Sequence, residues 1–439
     1  MRIRHLRWYV AALLFTSTVI NYIDRQTLSV VAPVLTKELH LSDIEYSYIL
    51  QAFLVAYTVM YLVSGILVDR WGTRRALATF MCWWSVSNIL HAIARTALHL
   101  GIFRFLLGVG EPGNYMAAGK AISEWYPAKE KAFVNGLVNA GSALGAVVAA
   151  PLVAWITVRY GWRPAFAATG CFGLLWLVPW LVFYHVPEKH ARITPEELAH
   201  IRGTGVSPPG DEARMHWFEL LKYRQTWGLL LARFVSDPVW WFYLFWMPKY
   251  LVEQRGFSMV QMGMLAWLPY LSADLGAIAG GLLSGYLVKR GWPALKARFG
   301  TMLPCALLTT LSVAIAFTRS STAALLLICA VTFCHLAWKT NLMTITNDIY
   351  PAAVVGSVCG IVSLGSGLGG VLFTNLTGRI VEHGSYGWIF IIMAFLHPIA
   401  FFVCRGLTRN APVLRAGRPA ERDLDGAGLA ANSVPARRR

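Results

Sequence analysis

The stretch Gly65-Ile-Leu-Val-Asp69-Arg70-Trp-Gly72-Thr-Arg74-Arg75 separates two apolar runs of helical length, at about residues 46–68 and 76–94. A related stretch, Gly285-Tyr-Leu-Val-Lys289-Arg290, ends another apolar run 220 residues later in a chain of 439 residues. The two stretches stand at equivalent positions along the chain. Their spacing predicts two parallel halves of similar topology.

The amino-acid composition indicates a membrane protein. Apolar residues make up 56% of the chain and charged residues only 14%, whereas roughly a quarter of a soluble globular domain is charged. A membrane-spanning helix needs about 20 apolar residues, so twelve helices need roughly 240, which is close to 56% of 439 residues. We therefore predict an all-α membrane protein with twelve transmembrane helices in two six-helix halves. The helices are predicted at about residues 8–34, 46–68, 76–94, 97–120, 132–158, 164–184, 226–252, 263–288, 299–318, 321–347, 354–382 and 386–404.

The segments between and after these runs indicate the domain organisation. The first run, from Trp8 to about Val34, is too long for the apolar core of a signal peptide, so we expect a retained span. The polar stretch between the halves contains Pro208, Pro209 and Gly210, as linkers do. We expect an N-terminal half at residues 1–184 and a C-terminal half at residues 226–404. A cytoplasmic linker at residues 185–225 joins them, and a disordered basic tail follows at residues 405–439.

Basic residues predict the orientation. A net charge of +17 would indicate nucleic-acid binding in a soluble protein, but here 26 of the 39 Lys and Arg residues lie in alternate loops and the two termini, six lie in the other loops and seven lie in the spans. Because basic loops remain in the cytoplasm, we predict cytoplasmic termini in the cell membrane. The bilayer is then the expected partner of these charges, not nucleic acid.

Motifs of enzymes and metal sites are missing from the sequence. The seven cysteines are scattered in apolar runs without metal-site spacing, and neither HExxH nor GxSxG occurs. Gly365-Ser-Gly367-Leu-Gly-Gly370 fits the dinucleotide pattern GxGxxG, but it lies inside an apolar run, where small residues favour close helix packing. We predict a protein that is not an enzyme and uses no cofactor or metal.

Ionisable residues inside spans are the main candidates for function, because each costs about 2.5–3.5 kcal/mol to insert. Asp24, Arg25 and Glu111 are predicted near the middle of the membrane. The planar guanidinium of Arg25 fits a substrate carboxylate in a bidentate manner. Asp24 and Glu111 are candidate proton carriers, because a carboxyl group in a low-dielectric cavity holds a proton more readily. The alternative is that these acids and Arg25 only satisfy one another as buried charges.

Further polar residues in the spans are weaker candidates. Arg233 and Asp237 lie four residues apart and are expected to form an ion pair on one helix face. Asp274 and Lys339 either pair with each other or face a cavity, and the sequence leaves the role of Arg104 open. Candidates for hydrogen bonds to a substrate, each with helix packing as the alternative, are Asn139, Ser142, Asn341, Ser363 and Ser366. Trp240, Trp241 and Tyr243 are candidates for an apolar wall of the same site.

The stretch at residues 65–75 closely resembles GxxxDRxGxRR, the signature of the major facilitator superfamily between its second and third helices. All of its fixed positions are present, at the expected loop. The resemblance implies transport by rocking of the two halves about a site between them. Asp69, Arg70, Arg74 and Arg75 are then candidates for a cytoplasmic charge latch that breaks and re-forms, with a simple positive-inside cluster as the alternative.

Further motifs resemble the anion:cation symporter family within that superfamily, and most closely its hexuronate-transporter subgroup. They cover nearly the whole chain before the tail and read Leu6-Arg7-Trp8-Tyr9, Asn21-Tyr22-Ile-Asp24-Arg25, Ala56-Tyr57-Thr-Val-Met60, Arg104-Phe-Leu-Leu-Gly108-Val-Gly-Glu111, Ser123-Glu-Trp-Tyr-Pro-Ala-Lys-Glu-Lys131, Arg233-Phe-Val-Ser-Asp237-Pro-Val-Trp-Trp241 and Ala273-Asp274-Leu-Gly276.

This family resemblance implies a monomeric symporter that imports a small organic anion, a hexuronate such as glucuronate or galacturonate, with protons. It implies that Arg25 and Tyr57 bind the substrate's acid group and that Asp24 and Glu111 carry protons. Two alternatives stay open. One is a symporter for aldonates or aromatic acids, and the other is a non-transporting membrane receptor for an organic anion.

Overall fold

The computed structural model describes residues 5–202 and 217–408. Pro208, Pro209 and Gly210 of the predicted linker, and the predicted tail beyond residue 408, lie outside the described residues. The described parts contain nineteen α-helices, namely α1 (Leu6–Glu38), α2 (Asp43–Trp71), α3 (Thr73–Leu90), α4 (Ala97–Gly110), α5 (Pro112–Trp125), α6 (Ala128–Tyr160), α7 (Trp162–Phe183), α8 (Pro195–Arg202), α9 (Trp217–Leu220), α10 (Arg224–Ser236), α11 (Pro238–Phe245), α12 (Met247–Glu253), α13 (Met259–Leu265), α14 (Leu268–Lys289), α15 (Ala294–Leu308), α16 (Ser312–Phe317), α17 (Ser321–Ile349), α18 (Ala352–His383) and α19 (Tyr386–Thr408).

The predicted all-helical membrane fold is confirmed. Among the described residues, nine helical segments are long and apolar enough to cross a membrane. The other three predicted spans correspond to α1, to α4 with α5, and to α10 with α11 and α12. These three contain Asp24 and Arg25, Arg104 and Glu111, and Arg233 and Asp237. The least apolar or least continuous spans are therefore the ones that each carry at least two ionisable residues.

Two of these spans break beside a buried acid. Glu111 lies between α4 and α5 and is followed by Pro112, and Asp237 lies between α10 and α11 and is followed by Pro238. Proline has no N–H to donate to the carbonyl four residues earlier, so it tolerates only the first turn of a helix. Each break therefore places a carboxyl group at a bend in the middle of a span.

Small residues let the helices approach closely. A Cβ at Gly141 would lie 2.6 Å from the Phe15 carbonyl oxygen, which brings α6 against α1. A Cβ at Gly276 would lie 2.0 Å from the Phe333 carbonyl oxygen, which brings α14 against α17. Such contacts between backbones are the usual basis of helix association in lipid.

The glycine run at residues 365–370 lies inside α18 and packs helices, as predicted. Cβ atoms at Gly365 and Gly369 would lie 2.3 Å and 2.1 Å from the carbonyl oxygens of Leu230 and Phe234 in α10. A Cβ at Gly367 would lie 2.0 Å from the Thr58 hydroxyl oxygen in α2. One face of α18 therefore contacts the C-terminal half and another contacts the N-terminal half.

Gly369→Ala is expected to lower the thermal unfolding temperature of the detergent-solubilised protein, because overpacking costs about 1–3 kcal/mol. Gly360→Ala in the same helix is the matched control, since a Cβ there meets no atom within 4 Å. Both substitutions gain the same helix propensity, so the difference between them reports the contact with Phe234. Equal unfolding temperatures would contradict tight packing of α18 on α10.

Polar contacts join the two halves at one end of the bundle, which we call the closed end. Lys249 in α12 binds Asp43 at the start of α2, and its Nζ lies 2.8 Å from Glu253. Glu382 of α18 accepts a hydrogen bond of 2.6 Å from the backbone N–H of Asp43. The Tyr46 hydroxyl donates to the Phe245 carbonyl at 2.9 Å. At the opposite end, which carries Asp69 and Arg74, no hydrogen bond or ion pair joins the described residues of the two halves.

Lys249→Met is expected to open the closed end. Removing one partner of a buried ion pair costs about 3–5 kcal/mol unless the remaining carboxylates reach water, and separating the halves gives Asp43 and Glu253 that access. We expect the ratio of open to closed molecules to rise at least about tenfold. The measurement is the distance distribution between spin labels on Tyr48 and Ser385, which are exposed residues of the two halves near this end.

The control for that experiment is Arg163→Met. Arg163 pairs with Glu38 at 2.5 Å, but both residues belong to the N-terminal half. Its replacement should leave the label distances unchanged. Equal shifts in both variants would mean that Lys249 does not hold the halves together.

Part of the predicted linker is ordered against the N-terminal half. Glu197 of α8 accepts hydrogen bonds from the backbone N–H groups of Leu6 and Arg7 and pairs with the Arg7 side chain at 3.2 Å. Glu130 at the start of α6 lies 3.1 Å from Arg7 and 3.0 Å from His200. These contacts hold α8 against the starts of α1 and α6.

Candidate functional site

The break between α4 and α5 sets Glu111 against Arg25 of α1. The Oε2 atom of Glu111 accepts a hydrogen bond of 2.7 Å from Nε of Arg25 and lies 2.7 Å from Nη2 in the same ion pair. Arg25 is 3% exposed and Glu111 is 0% exposed. The sequence left open that Arg25 and the buried acids only satisfy one another's charge. In this conformation Arg25 does form such an ion pair with Glu111.

The guanidinium group of Arg25 has a second edge, formed by Nη1 and Nη2, that Glu111 does not fill. Nη2 donates a longer hydrogen bond of 3.3 Å to the Asn21 side chain, and Nη1 makes no hydrogen bond with any described residue. The guanidinium carbon lies 4.7 Å from the ring centre of Tyr22 and 4.8 Å from that of Tyr57. Two aromatic faces thus hold the cation by cation–π attraction. The predicted neighbourhood of Arg25 and Tyr57 is observed.

Asp24 points to another side of α1. Its Oδ1 accepts a hydrogen bond of 2.7 Å from the Asn88 side chain, which also donates to the Thr169 hydroxyl at 2.8 Å. Its Oδ2 has no partner among the described residues although Asp24 is fully buried. An ionised carboxylate in this position leaves one oxygen without a donor, whereas a protonated carboxyl group needs fewer donors.

Arg104, whose role the sequence left open, is buried in the same cluster of charged residues as Asp24, Arg25 and Glu111. It is 0% exposed, and its Nη2 donates to the Arg25 carbonyl at 2.8 Å. Its guanidinium carbon lies 4.7 Å from the Phe53 ring, and its Nε and Nη1 have no hydrogen-bond partner among the described residues. Two arginines and two acids are therefore enclosed together, and a proton on either acid would leave the cluster with excess positive charge.

The C-terminal half contains the predicted pair of Arg233 and Asp237. Asp237 Oδ2 lies 2.8 Å from Nε and 2.6 Å from Nη2 of Arg233. The Nη1 atom of Arg233 donates to the Ser363 hydroxyl at 3.1 Å. Lys339 is half-buried and makes no ion pair with Asp274 among the described residues; its Nζ lies 5.9 Å from the Trp240 ring.

The predicted hydrogen-bonding residues fall into two groups. Asn139 is exposed in the middle of α6, and the hydroxyl of Ser142 donates to its carbonyl at 2.6 Å. Asn341, in contrast, is 0% exposed and donates to the carbonyls of Gly280 and Ala337. Ser366 is 4% exposed. Asn341 therefore contacts helix backbone in this conformation.

Trp241 approaches the cluster from the other half. It is 8% exposed, its ring centre lies 6.5 Å from that of Tyr57, and its Nε1 donates to the Ser366 carbonyl at 3.1 Å. The fold thus brings Arg25, Tyr57, Glu111 and Trp241 together at the interface of the halves.

The predicted latch residues lie at the end opposite the closed end. Asp69 is exposed and pairs with Lys120 of α5 at 2.9 Å, not with an arginine of its own motif. Arg74 donates to the Leu181 carbonyl, and Arg70 and Arg75 are exposed. Lys120 was missed, because its proximity to Asp69 depends on the packing of α5 against α2.

Sequence reasoning also missed the positioning roles of Asn21 and Asn88. Both are 0% exposed and bind Arg25 and Asp24, respectively. The available signal was an uncharged amide in a span predicted to be apolar, which is costly in lipid unless it is paired.

Comparison with known proteins agrees with this architecture. Residues 14–374 match the family model of the Major Facilitator Superfamily. This chain belongs to the major facilitator superfamily. It is therefore a multi-pass membrane transporter and not an enzyme, as predicted.

Two curated relatives in the superfamily are similar over much of the chain. A hexuronate transporter of Escherichia coli (strain K12) is 31% identical over 427 residues, which cover 96% of this chain and 98% of that protein. A galacturonate transporter of Dickeya chrysanthemi is 36% identical over 284 residues, which cover 64% of this chain and 82% of that protein.

A superfamily member of known structure has the same fold. The crystal structure of a bacterial homologue of the human lysosomal transporter Spinster, in an inward-facing and unoccupied conformation, superimposes with a TM-score of 0.75. The two chains are 19% identical, and the match covers 93% of this chain and 98% of the other.

Proposed function

We propose that this protein imports a sugar acid, most specifically a hexuronate such as glucuronate or galacturonate, together with protons. The observation that carries the proposal is the Arg25–Glu111 pair between the rings of Tyr22 and Tyr57 at the interface of the halves. A buried guanidinium with aromatic walls suits a carboxylate attached to a sugar ring. The similarity to hexuronate and galacturonate transporters supports the same substrate class.

The pair also offers a route to coupling. Glu111 occupies the Nε and Nη2 edge of Arg25, which is one of the two edges able to hold a carboxylate in a bidentate manner. Protonation of Glu111 removes its charge and releases that edge to an incoming anion. Deprotonation restores the pair and expels the anion. Asp24 is the second proton carrier in this proposal, since a proton removes the negative charge from a buried carboxyl group that has only one hydrogen-bonded oxygen among the described residues.

The remaining predicted residues receive roles around this centre. Asn139, Ser142 and Ser363 are half-buried or exposed and are proposed to meet the sugar hydroxyls, with Trp241 against the sugar's apolar face. Asn341 and Ser366 would join them only after the helices of the C-terminal half rearrange. Asp69, Arg70, Arg74 and Arg75 are proposed to latch the second end when the closed end opens.

The orientation follows from the same proposal. The closed end faces the outside of the cell membrane, and both termini and the end with Asp69 face the cytoplasm. The contacts that join the halves at the closed end would then describe an inward-open state. A single chain contains the whole site, so a monomer suffices.

The test is uptake of labelled glucuronate and galacturonate by liposomes that contain the purified protein, with an acidic exterior. Accumulation against a gradient that a protonophore abolishes supports a proton-coupled hexuronate symporter. Uptake that the protonophore leaves unchanged would contradict proton coupling. If folded protein transports neither sugar acid, the hexuronate proposal is wrong, and a panel of aldonates and aromatic acids comes next. Binding without transport in that panel would favour the receptor.

A further inference from the structure

The C-terminal half contains a buried pair of histidines that the proposed coupling does not use. His335 of α17 and His397 of α19 are both 0% exposed, and His335 Nδ1 lies 2.9 Å from His397 Nε2. The outer nitrogens, His335 Nε2 and His397 Nδ1, have no hydrogen-bond partner among the described residues.

The two imidazole rings leave hydrogen-bonding groups without a partner. A neutral imidazole has one N–H and one lone pair. If His335 donates to His397, the outer lone pair belongs to His335 and the outer N–H to His397, and the other assignment reverses them. In both cases one donor and one acceptor are left unpaired, each at a cost of about 1–3 kcal/mol. A pair of apolar side chains would fill the same space without that cost.

Aromatic rings pack against the pair and connect it to Trp241, the residue proposed to contact the sugar's apolar face. The Trp240 ring lies parallel to that of His335, with centres 5.7 Å apart and planes 3° apart. Trp338 meets His397 edge-on at 5.7 Å. Trp240 belongs to α11, where Trp241 is its neighbour and Asp237 precedes the helix. A cation on His335 would therefore face the π surface of a helix that lies at the interface of the halves.

Charged residues of both signs lie around the pair. Arg233 of α10 and Asp237, which lies between α10 and α11, are near it, and Lys339 lies one turn from His335 on α17. Asp274 of α14 faces Lys339. An ionised Asp237 would stabilise an imidazolium at this pair, whereas burial and the positive charges of Arg233 and Lys339 would destabilise it. A small rearrangement of α11 relative to α17 would change the balance, as alternating access requires of a coupling site.

We propose that His335 and His397 form a proton-binding site in the C-terminal half, distinct from Asp24 and Glu111. One proton from water binds the outer lone pair and forms an imidazolium that keeps its hydrogen bond to the second imidazole. The added charge is held by the Trp240 face and by Asp237. The proton is the ligand of this site, so the inference does not depend on which anion is transported.

The test is a titration of tryptophan fluorescence of the purified full chain between about pH 4 and pH 9, the range that brackets histidine ionisation. An imidazolium quenches a stacked indole, so the wild-type protein should lose emission on acidification. The quenching step should be absent in Trp240→Phe and in His335→Gln. A step that persists unchanged in either variant would overturn the proposal.

A matched control is His91→Gln. His91 is also 0% exposed and stacks on Phe166 at 4.8 Å, but its Nδ1 already pairs with the Ser87 carbonyl at 2.8 Å. The quenching step should survive in this variant.

A second readout keeps the test valid if the histidine variants unfold. Trp240→Phe retains the pair, so in unbuffered solution it should take up the same number of protons as the wild type over this pH range, whereas a folded His397→Gln protein should take up about one proton fewer. Equal uptake by wild type and folded His397→Gln would overturn the proposal.

Discussion

Glu111→Gln is expected to abolish accumulation of the sugar acid against its gradient while exchange across the membrane continues. The glutamine amide has the shape of the acid but neither binds nor releases a proton near neutral pH. It also leaves the Nε and Nη2 edge of Arg25 without a competing negative charge. The accumulation ratio driven by a pH gradient should fall to about one, because Glu111 is the acid whose proton controls the Arg25 edge, so a proton that Asp24 still carries is not coupled to binding of the anion.

The measurement compares gradient-driven uptake with counterflow in liposomes preloaded with unlabelled substrate. Glu38→Gln is the control, because among the described residues Glu38 pairs with Trp162 and Arg163, which lie with it at the closed end of the N-terminal half. That variant should retain both activities. Full accumulation by Glu111→Gln would show that this carboxyl group is not the proton carrier.

Arg25→Lys is expected to weaken binding of the sugar acid by about 100-fold, although the positive charge is kept. A lysine presents one compact ammonium group and cannot bind a carboxylate through two parallel N–H bonds. It also loses part of the flat contact with the rings of Tyr22 and Tyr57. Loss of charge-assisted hydrogen bonds of this kind costs about 1.5–3 kcal/mol each.

The affinity is measured as the substrate concentration that gives half-maximal counterflow, a reading that needs no proton gradient. Arg163→Lys provides a control on a half-buried arginine outside the site. An Arg25→Lys protein with wild-type affinity would place the substrate carboxylate elsewhere. Arg104 would then be the next position to test, since two of its nitrogens have no hydrogen-bond partner among the described residues.

The local features of this protein could be predicted from the sequence. Hydropathy and helical periodicity act over a few turns, so they indicated the spans, the glycine face of α18 and the ion pair of Arg233 with Asp237, which are four residues apart. The family motifs placed Asp24, Arg25, Tyr57 and Glu111 in one site. The same local rules did not indicate that the side chain of Asn341 would donate a hydrogen bond to the backbone of α14, at the Gly280 carbonyl.

The sequence by itself determined that the chain is a helical membrane protein of two halves, because the apolar content and the length of each run leave no other way to satisfy the backbone in lipid. Only the tertiary structure decided which buried polar groups meet. Arg25 and Glu111 are 86 residues apart, Asp24 and Asn88 are 64 apart, and His335 and His397 are 62 apart. Each pairing depends on which helix faces pack together, and that depends on the summed contacts of many side chains, since no single segment encodes it.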